Sequence, residues 1–401
     1  MTAPSTTPPA SPADTPWRDR KRYAWLLGLA VPTLPFQAAA LVTVSDWQVL
    51  WWWGPFFAFV IVPLFDALIG PDQENPPDKA IPLLEADRYY RWCTYLYLPL
   101  QYGGLLYACL LWSEGMDVPD ALGLAATVGV VAGVAINTAH ELGHKRETVE
   151  RLLARLALTQ SAYGHFYVEH NHGHHIRVAT PEDPASSRLG ESVWAFLPRT
   201  VTGSVRSAWR LETRRLHRRR HRAWSYRNDV LTAWALTVLM FATLAAVFGP
   251  VVLPYLIVQA ACGILLLETV NYLEHYGLLR ERRPDGRYER VAPRHSWNSN
   301  NTTSNVFLYQ LQRHSDHHAN PLRRYQTLRH FDEAPQLPTG YASMIVLAWM
   351  TPLWRRVMDP KVLAHYGGDA RRANLHHRRA ERYGAPSRCG ERHGEATAPR
   401  R

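Results

Sequence analysis

Nine of the 19 histidines fall into four clusters whose spacing suits a metal site. His140 and His144 bracket Glu141-Leu142-Gly143, and His170, His174 and His175 follow Glu169. His275 follows Glu274, and His314, His317 and His318 flank Ser315-Asp316. On a helix, positions i, i+3 and i+4 share a face, so each cluster can aim two or three imidazoles at one point. A catalytic zinc needs three protein ligands and a water. Nine imidazoles exceed that need and suit two irons with four or five nitrogens each, leaving positions for oxygen. The chemistry indicated is oxygen activation.

His140-Glu141-x-x-His144 also matches HExxH, the zinc-protease pattern in which the glutamate is a general base. That reading needs one further ligand and leaves the other clusters unexplained. Metal-bound imidazoles usually donate their second N–H to a carboxylate or carbonyl. Glu141, Glu169, Asp183, Glu274 and Asp316 are placed to accept it, and Glu274 is alternatively a direct ligand. His165 and His172 stand near the second cluster, where an outer role or plain solvation is expected. His217, His221, His295, His330, His365, His376, His377 and His393 lack cluster spacing and are read as ordinary core or surface residues.

The mean hydropathy of −0.25 hides strong segregation. Residues 23–45, 47–65, 92–113 and 121–139 contain no Asp, Glu, Lys or Arg, and neither does 230–267, which Phe248-Gly249-Pro250 divides. A bilayer-crossing helix needs about 20 apolar residues. Six spans are therefore expected, with Trp47, Trp51, Trp52, Trp53, Trp92 and Trp112 near their ends, where aromatic belts form. Arg18, Arg20, Lys21 and Arg22 precede the first span and place the N-terminus in the cytoplasm. The outer loops then lie near Asp46, at 114–120 and at 249–250, and none holds any of the 45 Lys and Arg residues. All four histidine clusters fall on the inner side, so both termini are expected to be cytoplasmic. The expected fold is all-α, six transmembrane helices under a cytoplasmic histidine-rich cap.

The net charge of +11 thus belongs to one face. The Arg214–Arg220 run suits anionic lipid or an acidic partner, and no recognition fold accompanies it that would imply nucleic acid. Cys93, Cys109, Cys262 and Cys389 form no CxxC pair, so no iron–sulfur or rubredoxin module is fused here and an electron donor must be a separate protein.

Residues 1–20 read as a disordered cytoplasmic tail without the layout of a cleavable signal. Residues 21–368 form one membrane domain, and a loose basic tail follows at 369–401. Within the domain, Arg151–Leu158 reads as an amphipathic helix. Glu191–Arg222 reads as a basic helical stretch broken at Pro198 and Gly203, and Tyr341–Trp354 as an apolar helix too short to span.

The motifs HELGHK at 140–145, EHNHGHH at 169–175, NYLEHYG at 271–277 and LQRHSDHHANPLRRYQTLR at 311–329 resemble the bacterial integral-membrane alkane 1-monooxygenases, non-haem di-iron omega-hydroxylases. The similarity extends to DALIGPDQENPP at 66–77, VATPEDPASSRLGES at 178–192 and HSWNSN at 295–300, and covers the chain from about residue 20 to 370. The histidine boxes of fatty-acid desaturases are spaced differently. The resemblance implies that His140, His144, His170, His174, His175, His275, His314, His317 and His318 hold two irons, and that His172 is no ligand.

The implied reaction converts the terminal methyl of a medium-to-long n-alkane to a primary alcohol with O2. Electrons would come from rubredoxin, itself reduced by a NAD(P)H-dependent reductase. Desaturation and aromatic methyl hydroxylation are the alternatives within the same chemistry. A metal transporter would place its ionisable ligands inside the spans rather than at their ends. In this family a bulky side chain in the second span limits substrate length, and the matching position is Ala58, one turn beyond Gly54. Gly54 and Ala58 are therefore expected to line the channel. Phe57 and Phe59 should point elsewhere, because adjacent helical residues diverge by about 100°.

Overall fold

A computed structural model describes residues 17–384. Of the tail expected to be disordered over 1–20, residues 1–16 lie outside the described residues, as does the tail beyond 384 with Cys389 and His393; within 17–20, Asp19 accepts from Trp25 Nε1 and Tyr90 OH. Every described element is helical, apart from isolated bridges such as Pro71 with Asn301 and Leu189 with Leu375.

The first apolar stretch is bent. A 3-10 turn at Ala24–Ala30 and helix α1 (Leu34–Ser45) meet at 67°, where Pro32 and Pro35 remove backbone donors. Helix α2 (Gln48–Ile69) is long and apolar enough to cross a membrane, as are α4, α7 and α8 below, so four helices among the described residues qualify, or five if the bent pair is one span. The stretch expected as the third span forms α3 (Tyr97–Glu114), which is 18 residues long. Tyr97, Gln101, Tyr102 and Tyr107 dilute its hydropathy, and it falls short of the same test.

Helix α4 (Val118–Gly143) is the axis of the bundle, buried along most of its length. Next come α5 (Thr148–Thr159), α6 (Val193–Arg218), α7 (Asp229–Phe248) and α8 (Val252–His275). Small residues let α4 and α8 lie side by side and parallel. A Cβ on Gly129 would strike Cys262, one on Gly133 would meet Leu266 at 3.0 Å, and one on Gly263 would meet Ala132 at 3.1 Å. Such close backbone approach is how helices associate where apolar burial gives no advantage over lipid. The shared direction brings the ends of α4 and α8, with His140 and His275, to one end of the bundle. By contrast, α7 is peripheral and exposes Val238, Leu239 and Val247.

Helix α6 runs unbroken through Pro198 and Gly203, contrary to the expected break. Pro198 lies in the second turn, where it removes the backbone donor that would reach Trp194 O without ending the helix, and Gly203 lets Pro184 pack within 2.8 Å of its would-be Cβ. Helix α9 (His314–Ala319) carries the last cluster, and the stretch expected as one helix from Tyr341 is α10 (Tyr341–Trp349), separated from α11 (Thr351–His365) at Met350. The segment from 369 is not loose as far as it is described. Ala370 and Ala373 are buried, Asn374 N–H donates to Gly277 O, and the Tyr383 hydroxyl donates to Asp359 Oδ2.

Candidate metal centre

The histidines converge because several unlike elements end at one place. His140 sits in the last turn of α4 with His144 just beyond it, and His275 closes α8. His170–His174 is wound as a π-turn between α-helical residues on both sides. In that wider turn, residue i+5 reaches the face that i+4 holds in an α-helix, so His170 and His175 meet with their Nε2 atoms 3.0 Å apart. A Cβ on Gly173 would come within 2.6 Å of the Glu169 carboxylate and the Arg177 guanidinium, so any larger residue there would push that ion pair aside.

Helix α9 follows two residues held at positive φ, Tyr309 (49°) and Gln310 (56°), a conformation that costs non-glycine residues energy and must be held by its surroundings. Tyr309 OH donates to Cys93 O at 3.1 Å, and Gln310 N–H donates to Asn305 O at 2.8 Å. Arg313, 1% exposed, donates to Leu328 O, Asp72 O and Glu74 O at 2.7–3.1 Å. It thereby ties the DQENPP loop to the cluster that begins one residue later. Asn298 grips Ser315 through both its amide atoms. Arg313, Asn298 and Tyr341 escaped the sequence reading as parts of the site, although the first two lie within the quoted motifs and Tyr341 opens the short apolar helix.

Two groups result. His140, His144, His170, His175 and His317 form one, and His174, His275, His314 and His318 the other, each with its ligand nitrogens within 4.8 Å of one another. The adjacent pairs His174–His175 and His317–His318 are split between the groups, as the rotation between neighbouring helical residues demands. His172 is exposed and stands apart, and His165 is buried against Tyr163 outside both groups.

The donor geometry fits cations. Nε2 atoms lie 2.7 Å apart in His140–His317, 3.0 Å in His317–His175 and 2.9 Å in His314–His318. Two ligands at right angles on an ion about 2.1 Å from each would be separated by about 3.0 Å. Nε2 of His144, His174 and His275 is buried with no hydrogen-bond partner, a costly state that a bound ion relieves. Burial and neighbouring imidazoles hold the pKa of His144, His170, His175, His314, His317 and His318 well below the usual range, keeping them in the neutral, ligating form.

Of the five carboxylates expected around the histidines, two touch one. Asp183 Oδ2 accepts from His174 Nδ1 at 2.9 Å, and Glu274 Oε2 lies 3.1 Å from His314 Nε2 while Oε1 accepts from Tyr341 OH. The other three bind cations instead: Glu141 pairs with Lys145 at 3.1 Å, Glu169 with Arg177 at 2.6 Å and Asp316 with Arg323 at 2.7 Å. A residue one place along a helix from a histidine points away from it, and these three brace the helices rather than the rings.

A cavity of about 100 Å³ lies within the apolar part of the bundle, lined by Ala58, Val134, Leu267, Val270, Phe307 and Leu311 among others. Asn137, Val270 and Leu311 on its wall stand three to five residues before His140, His275 and His314, so three elements lead from cavity to cluster. Gly54 is not on the wall. It packs on α4, with Thr127 Cα 2.6 Å from where its Cβ would be. Phe57 and Phe59 do line the cavity beside Ala58, against expectation. Residues 57–61 are a second π-turn, upstream of Pro63, and the widened turn presents more of its circumference to the cavity.

The sequence matches the fatty acid desaturase family over residues 119–348. It is 46% identical to an alkane 1-monooxygenase of Acinetobacter baylyi across 90% of both chains, and 46% identical to alkane 1-monooxygenase 1 of Alcanivorax borkumensis across 92% of both. A xylene/toluene monooxygenase hydroxylase component of Pseudomonas putida is 25% identical over 80% of this chain and 86% of its own. Extended over nine-tenths of the sequence at this identity, the likeness makes the chain a member of the alkane 1-monooxygenase family, within its match to the fatty acid desaturases.

Proposed function

We propose that this protein hydroxylates the terminal methyl group of medium-to-long n-alkanes, with two irons held by the nine clustered histidines. The observation that carries the reading is an apolar cavity whose walls lead to two convergent imidazole groups. The balance is alkane, O2, two electrons and two protons to primary alcohol and water. Irons bound there supply the activation of dioxygen. The chain's own part is shape and exclusion. Phe57, Phe59, Phe307 and Leu267 enclose an alkyl chain and keep water from the reacting end. Asn137 on the cavity wall donates one amide N–H to Leu308 O at 2.7 Å, and an alkane has no polar group for the rest of that amide to hold. Selectivity for the chain end then rests on cavity shape, with Ala58 leaving room for longer substrates.

The remaining elements of the proposal follow the charge pattern. Six spans, α3 included, would sit in the bacterial inner membrane with both termini and the histidine cap cytoplasmic. Residues 21–368 would form the catalytic domain between tails at 1–20 and 369–401. A rubredoxin, reduced by a NAD(P)H-dependent reductase, would deliver electrons to the basic face. The test is product identification from dodecane in cells expressing the protein. 1-Dodecanol supports the proposal; no dodecanol from iron-loaded protein overturns it.

The desaturase match and the xylene/toluene relative favour a second reading, which the same assay addresses with a fatty acyl ester and with toluene. Metal analysis separates both from the HExxH protease: about two irons per chain against about one zinc.

A further inference from the structure

Glu268 lies in α8 and is 1% exposed. Three donors from three segments converge on its carboxylate. The hydroxyl of Tyr163 donates to Oε1 at 2.6 Å, and the Thr200 hydroxyl and Asn271 amide donate to Oε2 at 2.8 and 3.2 Å. An ionised carboxylate, acceptor-only, has room for all three donations, and no Lys or Arg reaches Glu268 among the described residues. A buried carboxylate without a cation is expensive, especially within an apolar bundle. One small cavity is lined by Glu268 and Asn271 together with His170 and His174, one from each group; Glu169, which also lines it, is already paired with Arg177.

Nine neutral imidazoles add no charge, and Asp183 and Glu274 beside the rings supply at most two of the four negative charges that would balance two divalent ions. We propose that Glu268 is an electrostatic counter-ion to the metal centre, a positioning residue that ligates neither ion and lowers the centre's reduction potential. The inference rests on the metal reading above. Its place is fixed by the helix: Glu268 precedes His275 by seven residues, two turns, or about 10 Å along the axis. At that range, through an effective dielectric near 20, one unit charge changes the affinity for a divalent ion by tenfold or more.

The test is Glu268→Gln in full-length protein held in lipid nanodiscs. Glutamine keeps the size and can still accept hydrogen bonds while removing the charge. Expected are ferrous ion bound at least tenfold more weakly, a more positive reduction potential, and a melting temperature of the metal-free protein equal to or above wild type. The opposite pattern, with metal-free protein destabilised and both ferrous affinity and potential unchanged, makes Glu268 a hydrogen-bonding hub and overturns the proposal. Thr200→Val keeps the charge and removes one donor, so ferrous affinity should stay within about threefold of wild type. A tenfold loss there also overturns the proposal, even if the glutamine variant does not fold. Wild-type protein that holds no iron refutes the metal reading itself, a result distinct from either variant's failure.

Discussion

The two histidine groups are built from the same residue type, yet their surroundings differ. No carboxylate touches any ring of the group His140, His144, His170, His175 and His317 among the described residues. The group His174, His275, His314 and His318 has Asp183 on one ring and Glu274 beside another. Negative charge within contact raises ligand basicity and stabilises the more oxidised ion. Two ions in these groups would therefore be unequal in affinity and potential, though both see only imidazole.

The largest effects should come from breaking each group in turn. His317→Ala and His275→Ala should each lower alcohol formation at least 100-fold. Iron per chain should fall by about one ion in each, with different spectroscopic features lost. Identical spectra from the two variants would show that the groups do not act as separate sites. Next, Glu274→Gln should cut activity or iron affinity about 10–100-fold, the range for partners that orient ligands. The loss should concentrate in the ion held by His275 and His314. Asp183→Asn keeps an acceptor for His174 and should fall at the low end of that range.

The acid limb sharpens the comparison. The six depressed histidines outside the spans stay neutral in the folded protein, whereas unfolded chains protonate them near pH 6.5. The unfolded state then binds more protons, so metal-free protein should lose stability as pH falls below about 6.5. His165, pushed down to about 4 by burial and outside both groups, adds to the same trend. Asp183 is held at about 2: His174 and Ser186 outweigh the upward pull of burial. Its bond to His174 should thus survive over this window. Thermal melts at stepped pH check the sign, and a metal-free melting temperature that rises on acidification contradicts it.

The smallest effect should be on iron itself when the cavity is filled. Ala58→Trp should shift products toward shorter alcohols with iron content unchanged, as read by product chromatography. An unaltered profile in folded, iron-loaded protein removes Ala58 from the channel.

The residues that converge were legible in the sequence because histidine is scarce and its spacing is local. Their partition was not. Which of His174 and His175 joins His170 depends on the π-turn, and the tetrapeptide periods used to read the boxes assume α-helical winding. Carboxylate roles failed for a related reason. Glu141, Glu169 and Asp316 sit beside ligands in sequence but face Lys145, Arg177 and Arg323, which are fixed only by tertiary packing. The apolar spans were legible by composition, except where tyrosines and a glutamine dilute α3. The placing of Gly54 against Thr127 could not be read, because a small residue in a membrane helix serves a channel and a helix contact equally well.

The π-turn at His170–His174 carries a consequence for how such a centre changes by mutation. A helix with one surplus residue keeps both flanks in place and bulges between them. Removing one residue from 171–173 would let the bulge relax into ordinary α-helix, where His175 becomes i+4 to His170 and keeps the face it holds now. Both halves of the centre would keep their ligands. A change that unwound the π-turn without shortening the segment would instead bring His174 to i+4 and turn His175 about 100° away. Because those neighbours feed different groups, that change would disarm both halves while leaving every histidine in the chain. The winding of this segment, rather than its length, is thus the inherited requirement.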